Sequence, residues 1–316
     1  MKLLITGANG FVGRALVSHF AAQEAMSVRA AVREGSSQFP SFIEVHDNLD
    51  LELGDWSSAV KNIDVVIHCA ARVHVKNDKA ADPIAEFRKI NVDGTLKLAQ
   101  KAAEAGVKRF IYLSTVKVNG SSTSHRPPFS ADEAPAPTDP YGISKMEAEI
   151  GLLDIAKKTA LDIVIIRPPL VYGPGVKANF LDLMRLVNRS IPLPFGAIDN
   201  KRSFVAIDNL VDFIHTCCVH PSARNQIFMV SDGHDLSTTQ LITMISQALT
   251  KTTYLIPVPS NMMHYAARLF GKEETADRLI GSLQVDISKN KYLLNWMPSV
   301  KIDHVLKITA DMFYNK

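Results

Sequence analysis

Two side chains near the middle of the chain, Tyr141 and Lys145, have the types and the spacing that proton transfer needs. Residues four apart lie on one face of a helix, so the segment Tyr141-Gly-Ile-Ser-Lys145 predicts a phenol beside an ammonium group. A phenol with a pKa of about 10 is a poor general base at neutral pH, and a nearby ammonium lowers that pKa. An exposed tyrosine and a solvated lysine would have the same spacing. With the glycine pattern described next, we predict that the pair is catalytic.

The first thirteen residues contain a glycine pattern that suits a dinucleotide. The apolar run Lys2–Ile5 predicts a strand, and Thr6-Gly-Ala-Asn-Gly-Phe-Val-Gly13 follows it directly. Gly7 permits a tight turn, Gly10 lets the backbone approach a pyrophosphate, and Gly13 lets helix and strand pack closely. An apolar stripe at helical spacing comes next, at Val12, Leu16 and Phe20. The sequence therefore predicts a phosphate at the start of the first helix.

Alternating strands and helices must carry these residues. Apolar runs predict strands at Ser27–Val32, Ile63–Ala71, Val107–Leu113 and Leu161–Ile166, with a possible short strand at Phe42–Val45. Helices are predicted at Asp82–Ala105 and Tyr141–Thr159, and residues 116–140 read as a loop over the site. This rhythm predicts an α/β fold, a doubly wound (Rossmann) parallel sheet.

The rhythm ends at Pro168, which indicates a second, smaller unit. A loop at Val171–Val176 and a helix at Asn179–Asn188 follow, and Asp208–Val219 and Gln226–Val230 are expected to return to the sheet. Residues 233–316 are expected to be mostly helical with one or two short strands. We therefore predict an NAD(P)-binding domain of residues 1–168 with about 204–232. Residues 169–203 and 233–316 would form a substrate domain.

Composition narrows the class of protein. The chain has 316 residues, 47% hydrophobic and 21% charged, which is typical of a globular protein. A net charge of +3 is too small to indicate nucleic acid or a membrane surface as the main partner. No apolar run is long enough for a transmembrane helix, and the three cysteines fit a reducing compartment without zinc-ligand spacing. We expect a cytoplasmic protein with no metal site.

The glycine pattern and the Tyr-Xaa-Xaa-Xaa-Lys signature together resemble the short-chain dehydrogenase/reductase superfamily. Thr6–Gly13 looks like its extended branch, the NAD-dependent epimerase/dehydratase family. The resemblance implies that Lys145 also holds the nicotinamide ribose and that Thr115, or its neighbour Ser114, polarises the substrate oxygen. It implies a homodimer formed through the helix carrying Tyr141 and the helix before it. The implied cofactor-binding residues are Gly7, Gly10, Phe11, Val12, Gly13, Arg33, Asp55, Ala70, Ala71, Asn91, Ser114, Tyr141, Lys145 and Pro168.

The end of the second strand bears on the choice of cofactor. NAD-binding folds place an acidic residue there for the ribose hydroxyls, whereas this chain reads Arg29-Ala-Ala-Val-Arg33. A guanidinium at Arg33 could grip a 2′-phosphate, so NADP(H) is favoured and NAD stays possible. By resemblance Asp55 meets the adenine amino group, although a helix N-cap is an alternative. Ala70 and Ala71 would let the cofactor lie close, and Asn91 would support the site.

The substrate residues come from the second half of the chain by resemblance. Arg202, in Arg202-Ser-Phe-Val-Ala-Ile-Asp, would contact the diphosphate of a nucleotide sugar. Asn179 would lie near the nucleotide, and Arg278 is a looser candidate for a second diphosphate contact.

The residues around the catalytic positions favour one reaction type. Thr115 is followed by Val116-Lys117 instead of the Asp-Glu pair of dehydratases. Arg167-Pro-Pro-Leu170 departs from the Arg-Tyr-Phe-Asn of many epimerases. Together with Arg33, this favours a reductase.

The preferred hypothesis is reduction at C4 of a UDP-4-keto-6-deoxy-N-acetylhexosamine for surface polysaccharide (O-antigen, lipopolysaccharide) synthesis. The chain resembles bacterial reductases that form UDP-N-acetylquinovosamine and O-antigen enzymes similar to UDP-glucose 4-epimerase. The nearest alternative is a UDP-hexose 4-epimerase with tightly bound NAD. A reductase of a non-sugar carbonyl or a non-catalytic NADP(H)-sensing protein are alternatives from other classes.

Overall fold

The computed structural model describes residues 1–33, 39–47, 49–73, 82–271 and 273–315. Its strands are β1 (Lys2–Thr6), β2 (Ser27–Ala31), β3 (Glu44–His46), β4 (Val65–His68), β5 (Arg109–Leu113), β6 (Asp162–Arg167), β7 (Leu170–Tyr172), β8 (Phe204–Ala206) and β9 (Gln226–Met229). Its α-helices are α1 (Phe11–Ala21), α2 (Pro83–Arg88), α3 (Thr95–Glu104), α4 (Pro140–Lys158), α5 (Ala178–Asn188), α6 (Ile207–Val219), α7 (Thr238–Ala248), α8 (Ser260–Leu269), α9 (Glu273–Ile280), α10 (Ser288–Leu294) and α11 (Ile302–Tyr314).

Seven strands form one parallel sheet in the order β3-β2-β1-β4-β5-β6-β9. The predicted doubly wound sheet is confirmed. Its strands are continuous apolar runs because both faces are covered. Along β1, Leu3 and Ile5 belong to the core on one face, and Leu4 belongs to the core on the other.

Helices supply the cover on each face. On one face, α1 and α6 pack through Leu16 and Phe213. On the other face, α3 and α4 pack through Leu98 and Leu152. The strand order reverses at β1, because β2 and β3 extend the sheet on one side of it and β4, β5 and β6 on the other. Ligands of such sheets bind in the crevice between the two strands where the order reverses, here β1 and β4.

The segments after Pro168 build a second core. It unites α5, α7 and α11 with the parallel pair β7–β8, so the predicted loop at Val171–Val176 begins with a strand instead. The segment Asp208–Val219 returns to the sheet as helix α6, and Gln226–Met229 returns as the edge strand. The division of the chain into two domains, like the homodimer, stays a prediction.

The single helix predicted over Asp82–Ala105 is wrong in detail. A π-helical stretch, Lys89–Gly94, separates α2 from α3. Gly94 lies so close to Leu51 that an added Cβ would stand 2.6 Å from its carbonyl oxygen. Asn91 lies within this stretch, and such π-bulges are frequent at functional sites. Separately, no helix in the described part of the chain is both long and apolar enough to cross a membrane.

Candidate functional site

The glycine turn between β1 and α1 has the close contacts that its sequence predicts. Gly7 has a φ of +63°, and a Cβ there would stand 2.8 Å from the Ala70 backbone nitrogen. A Cβ on Gly13 would stand 2.2 Å from the Gly7 carbonyl oxygen. The Thr6 hydroxyl accepts a hydrogen bond from the Ala70 amide at 3.3 Å. Only glycine at these two positions lets helix α1 start directly above the end of β1 and beside the end of β4.

The start of α1 is open to an anion. Gly10 is its N-cap and provides no side-chain cap, so the first amide groups of the helix point outward. A cavity of about 670 Å³ adjoins this turn, and Gly10, Phe11, Arg14 and Lys177 are among its lining residues. Val12 follows in the first turn of the helix and packs against the core beneath. Uncapped amides, nearby cations and a glycine cradle fit the diphosphate of a dinucleotide cofactor.

Two residues expected at the adenosine end lie at the surface. Arg33 is exposed just past the end of β2. Asp55 is exposed, and its Oδ1 accepts a hydrogen bond from the Ser57 amide at 3.0 Å, which lowers the pKa of this carboxyl. Asp55 therefore caps a turn, whereas the alternative to adenine binding was that it caps a helix. Ala70 and Ala71 are half-buried after β4.

Asn91 holds the segment after β4 against α4. Its Oδ1 accepts from the Arg72 amide at 2.8 Å, while its Nδ2 donates to the Arg72 carbonyl at 3.0 Å and to the Ser144 hydroxyl at 3.0 Å. Ser144 also donates to the Tyr141 carbonyl oxygen at 2.8 Å. Asn91 therefore positions backbone on both sides of the crevice, as a supporting residue would.

Helix α4 brings Tyr141 and Lys145 to the end of β5. The Lys145 Nζ donates to the Leu113 carbonyl oxygen at 2.7 Å, and a Cβ on Gly142 would stand 2.9 Å from the Lys117 carbonyl oxygen. Asp139 caps the helix at the Gly142 amide, 2.8 Å away, and accepts from the Lys117 Nζ at 2.6 Å. The missing side chain at Gly142 thus lets the first turn of α4 rest on the segment after Thr115.

The electrostatics of the pair differ from the expectation. Burial lowers the pKa of Lys145 from 10.5 to about 7, opposed by the carboxylate of Glu149. Burial and the nearby Asp139 carboxylate raise the pKa of Tyr141 above its ordinary value, whereas we expected Lys145 to lower it. The ammonium here faces the Leu113 carbonyl and the Tyr112 ring, whose centroid is 4.0 Å from Nζ. Both effects on Tyr141 favour the neutral phenol over the phenolate.

The two candidate hydroxyls after β5 lie in different surroundings. Thr115 has an extended backbone, so its side chain and that of Ser114 point in opposite directions. The Ser114 hydroxyl is buried and donates to the Glu149 carboxylate. Thr115 is half-buried, and its Oγ1 accepts from the Lys117 amide at 3.3 Å. The Pro168 carbonyl accepts from the Val116 amide at 3.0 Å and fixes the same turn.

Of the three substrate residues expected from the second half of the chain, Arg202 has the surroundings that best fit an anion. Its Nη1 donates to the Gly281 carbonyl oxygen at 2.9 Å, and burial lowers its pKa to about 10. Arg278 lies on α9, which ends just before Gly281. Asn179 lies exposed in the first turn of α5. Arg202 forms no ion pair with any residue in the described ranges, so an anionic ligand would meet an uncompensated guanidinium.

Several buried polar residues around the site were missed by sequence reasoning. They are His68, Asn119, Glu149 and Arg167. The His68 Nδ1 is hydrogen-bonded to Thr6 Oγ1 at 2.6 Å, and burial with the nearby Lys145 charge lowers the pKa of this imidazole to about 3. One signal could have found Glu149, because it continues the four-residue spacing of Tyr141 and Lys145 on the same helix face.

Known proteins resemble this chain over nearly its whole length. Residues 3–231 match the NAD dependent epimerase/dehydratase family. A UDP-glucose 4-epimerase of Vibrio cholerae is 47% identical over 319 residues, covering 99% of this chain and 95% of its own. A second UDP-glucose 4-epimerase, from Mycolicibacterium smegmatis, is 29% identical and covers 100% of this chain and 99% of its own. Among solved structures, the UDP-glucuronic acid 4-epimerase of Bacillus cereus in complex with NAD has a TM-score of 0.81. It is 23% identical and covers 100% of this chain and 99% of its own.

Proposed function

This chain belongs to the NAD-dependent epimerase/dehydratase family, and from that premise we propose that it is a UDP-hexose 4-epimerase. It is an extended short-chain dehydrogenase/reductase that uses a nicotinamide cofactor and acts on a nucleotide sugar. The observation that carries the finer proposal is the 47% identity to a UDP-glucose 4-epimerase across almost the entire chain. It favours the alternative over the reductase that the sequence first suggested. A role in surface polysaccharide synthesis stays a prediction.

The chain's own residues suit proton transfer at the 4-oxygen of a sugar. A bound nicotinamide would supply the reversible oxidation at C4. Thr115 would hydrogen-bond the 4-oxygen and orient it, and Tyr141 would take the proton when C4 is oxidised and return it on reduction. The oxidation needs Tyr141 as the phenolate at the start of the cycle. The burial of the phenol and the carboxylate of Asp139 oppose that form, because both raise its pKa.

Lys145 would tune this proton transfer. Its ammonium lies on the same helix face as Tyr141, and burial already brings its pKa to about 7. A small change in its surroundings therefore switches its charge near neutral pH. A charged Lys145 would favour the phenolate during oxidation of the sugar.

Binding of the UDP diphosphate would fall to Arg202. The guanidinium is half-buried, has no acidic partner among the described residues, and is anchored to the Gly281 carbonyl. A diphosphate would restore the charge balance that burial disturbs. Asn179 and Arg278 are proposed as secondary contacts.

We propose NAD as the retained cofactor, since an epimerase returns the sugar to its original oxidation state. The residue that favours the alternative, NADP(H) and net reduction, is the exposed Arg33. Replacing Arg33 with alanine distinguishes the two. If Arg33 grips a 2′-phosphate, the variant should lose about 10-fold or more in NADP(H) affinity and keep its NAD affinity. Equal affinities before and after the change would make Arg33 a bystander. Isothermal titration with each cofactor measures this.

The function is tested by incubating the purified protein with UDP-glucose and with UDP-galactose and following their interconversion. Denaturing the protein should release NAD. In Tyr141→Phe we expect turnover to fall by about 10²- to 10⁴-fold with cofactor retained, while the surface variant Tyr292→Phe keeps full activity. Consumption of NADPH with a UDP-4-keto-6-deoxy-N-acetylhexosamine, without interconversion of the two hexoses, would instead establish the reductase.

A further inference from the structure

A fully buried ion pair lies directly beneath the candidate active site. Glu149 on α4 is 2% exposed and Arg167 at the end of β6 is 1% exposed. The Arg167 Nη2 donates to Glu149 Oε2 at 2.5 Å, and its Nε donates to the two carboxylate oxygens at 3.1 and 3.2 Å. The two side chains therefore meet in a planar, two-pronged contact, the strongest geometry available to such a pair.

The pair also binds the two segments that frame the site. The Ser114 hydroxyl donates to the Glu149 carboxylate. The Arg167 Nη1 donates to Asn119 Oδ1 at 2.9 Å, and Asn119 Nδ2 donates to the Ser130 carbonyl at 3.0 Å. The cluster thus joins the end of β5, the end of β6, helix α4 and the loop of residues 119–133.

Stability alone is a poor explanation for such a cluster. A buried ion pair gains little over apolar residues of the same volume, because both charges lose their hydration. Its geometry offers something that apolar packing lacks, namely a fixed direction at each hydrogen bond. Ser114 and Thr115 are consecutive in extended backbone, so their side chains point in opposite directions. The hydrogen bond that fixes Ser114 toward Glu149 therefore also fixes the direction of Thr115. Glu149 lies two four-residue steps from Tyr141 on α4, so the same contact fixes the rotation of that helix.

We propose that Glu149 and Arg167 are positioning residues, which set the orientation of Thr115 relative to Tyr141 and hold the loop of residues 119–133 in place. Neither touches the reacting atoms. The kinetic part of this inference rests on the proposed function, because it assumes that Thr115 and Tyr141 act on one substrate oxygen. The structural part, the fixing of the loop, does not.

The first experiment compares Glu149→Gln with wild type at a temperature where both are folded. The glutamine keeps the shape and removes the charge. We expect kcat to fall about 10- to 100-fold, as misplacement of a catalytic group does, with KM changed less than about threefold. The matched control is Arg109→Lys. Arg109 is a buried arginine at the opposite end of β5, and its Nη1 donates to the Cys217 carbonyl at 2.7 Å. It should lower the unfolding temperature without lowering kcat.

A double-mutant cycle asks whether Glu149 acts through Thr115. If it does, adding Glu149→Gln to Thr115→Val should lower kcat by less than about twofold more, since the group being positioned is already gone. Multiplicative losses would show independent effects and overturn the positioning role. Ser114→Ala removes one bond and keeps the ion pair, so it serves if Glu149→Gln does not fold. It should show the same pattern with a smaller loss.

Hydrogen exchange tests the structural part without turnover. In Glu149→Gln the amides of residues 116–133 should exchange about 10-fold faster or more, while those of β1 and β4 stay protected. Arg109→Lys should leave residues 116–133 unchanged. Uniform acceleration across the sheet would refute the positioning role. If the variants show this exchange pattern but the wild-type protein has no epimerase activity, only the proposed function is refuted.

Discussion

Replacing Lys145 with methionine should stabilise the protein at neutral pH while removing its activity. Burial lowers the pKa of Lys145 from 10.5 to about 7, against the opposing Glu149 carboxylate. The unfolded chain keeps the ordinary value and binds more protons between pH 7 and pH 10.5, so the native lysine makes stability rise with pH across that window. At about 1.4 kcal/mol per pKa unit, the charged lysine costs the fold on the order of 5 kcal/mol near pH 7 and below.

Methionine removes this cost and some favourable contacts with it. The variant loses the 2.7 Å hydrogen bond from Nζ to the Leu113 carbonyl and the contact with the Tyr112 ring. These are worth roughly 2 kcal/mol together. We therefore expect a net gain of about 3 kcal/mol in the free energy of unfolding near pH 7. The gain should shrink as pH rises and pass through zero at about pH 9. Above about pH 10.5 the lysine is neutral in both states, so methionine should then cost the roughly 2 kcal/mol of the lost contacts.

Urea denaturation of the two proteins at pH 6.5, 8 and 9.5 measures this difference directly. The control is Lys97→Met, since Lys97 is exposed on α3 and its replacement makes the same change of side chain outside the core. A Lys145→Met variant that is less stable than wild type at pH 6.5, or whose difference from wild type is flat with pH, would refute the electrostatic account. It would mean that the buried lysine keeps its ordinary proton affinity.

Two further predictions test other parts of the fold. Gly13→Ala places a methyl group 2.2 Å from the Gly7 carbonyl oxygen; we expect a loss of about 2 kcal/mol or more and of cofactor binding by titration. Gly106→Ala, at an open position with a φ of +77°, should cost only about 1 kcal/mol of backbone strain, so equal losses would contradict the close contact. Glu44→Gln tests an ion pair at the sheet edge. Burial of Glu44 opposes its ionisation, but hydrogen bonds led by Arg29 outweigh burial and lower its pKa to about 2. The exposed site limits the loss to about 1 kcal/mol at pH 7, and this loss should vanish as pH falls from 4.5 to 2; a loss that persists at pH 2 would be due to packing.

The sheet and the glycine turn were predictable because their rules are local. Apolar strands such as Leu161–Ile166 have lengths and flanks that few other structures share, and glycine at position 13 has a steric reason. The interruption of the helix over Asp82–Ala105 was not predictable in this way. A π stretch depends on contacts between Gly94 and Leu51, which are distant in sequence. The short strand β7 likewise exists only because β8 pairs with it.

The site was predictable in its residue types but not in its charges. The spacing of Tyr141 and Lys145 predicted one helix face, and both lie there. The direction of the pKa of Tyr141 was wrong, because it depends on how deeply the phenol is buried and on the Asp139 carboxylate. The sequence favoured Thr115 and left Ser114 as the neighbouring candidate, and only the position of Glu149 shows that the Ser114 hydroxyl has another partner. Burial and opposing partners are tertiary quantities that one sequence does not contain.

The position of β9 has a consequence for how the protein is made. Strand β9 completes the sheet beside β6, yet residues 168–225 separate them in the chain. While the ribosome is still adding those residues, β6 is an edge strand with unpaired backbone groups and an exposed apolar face. We expect chains halted before residue 226 to need a chaperone and to aggregate readily. Once Gln226–Met229 leaves the ribosomal tunnel, it can pair with β6, and we expect the nascent sheet to need no chaperone from that point.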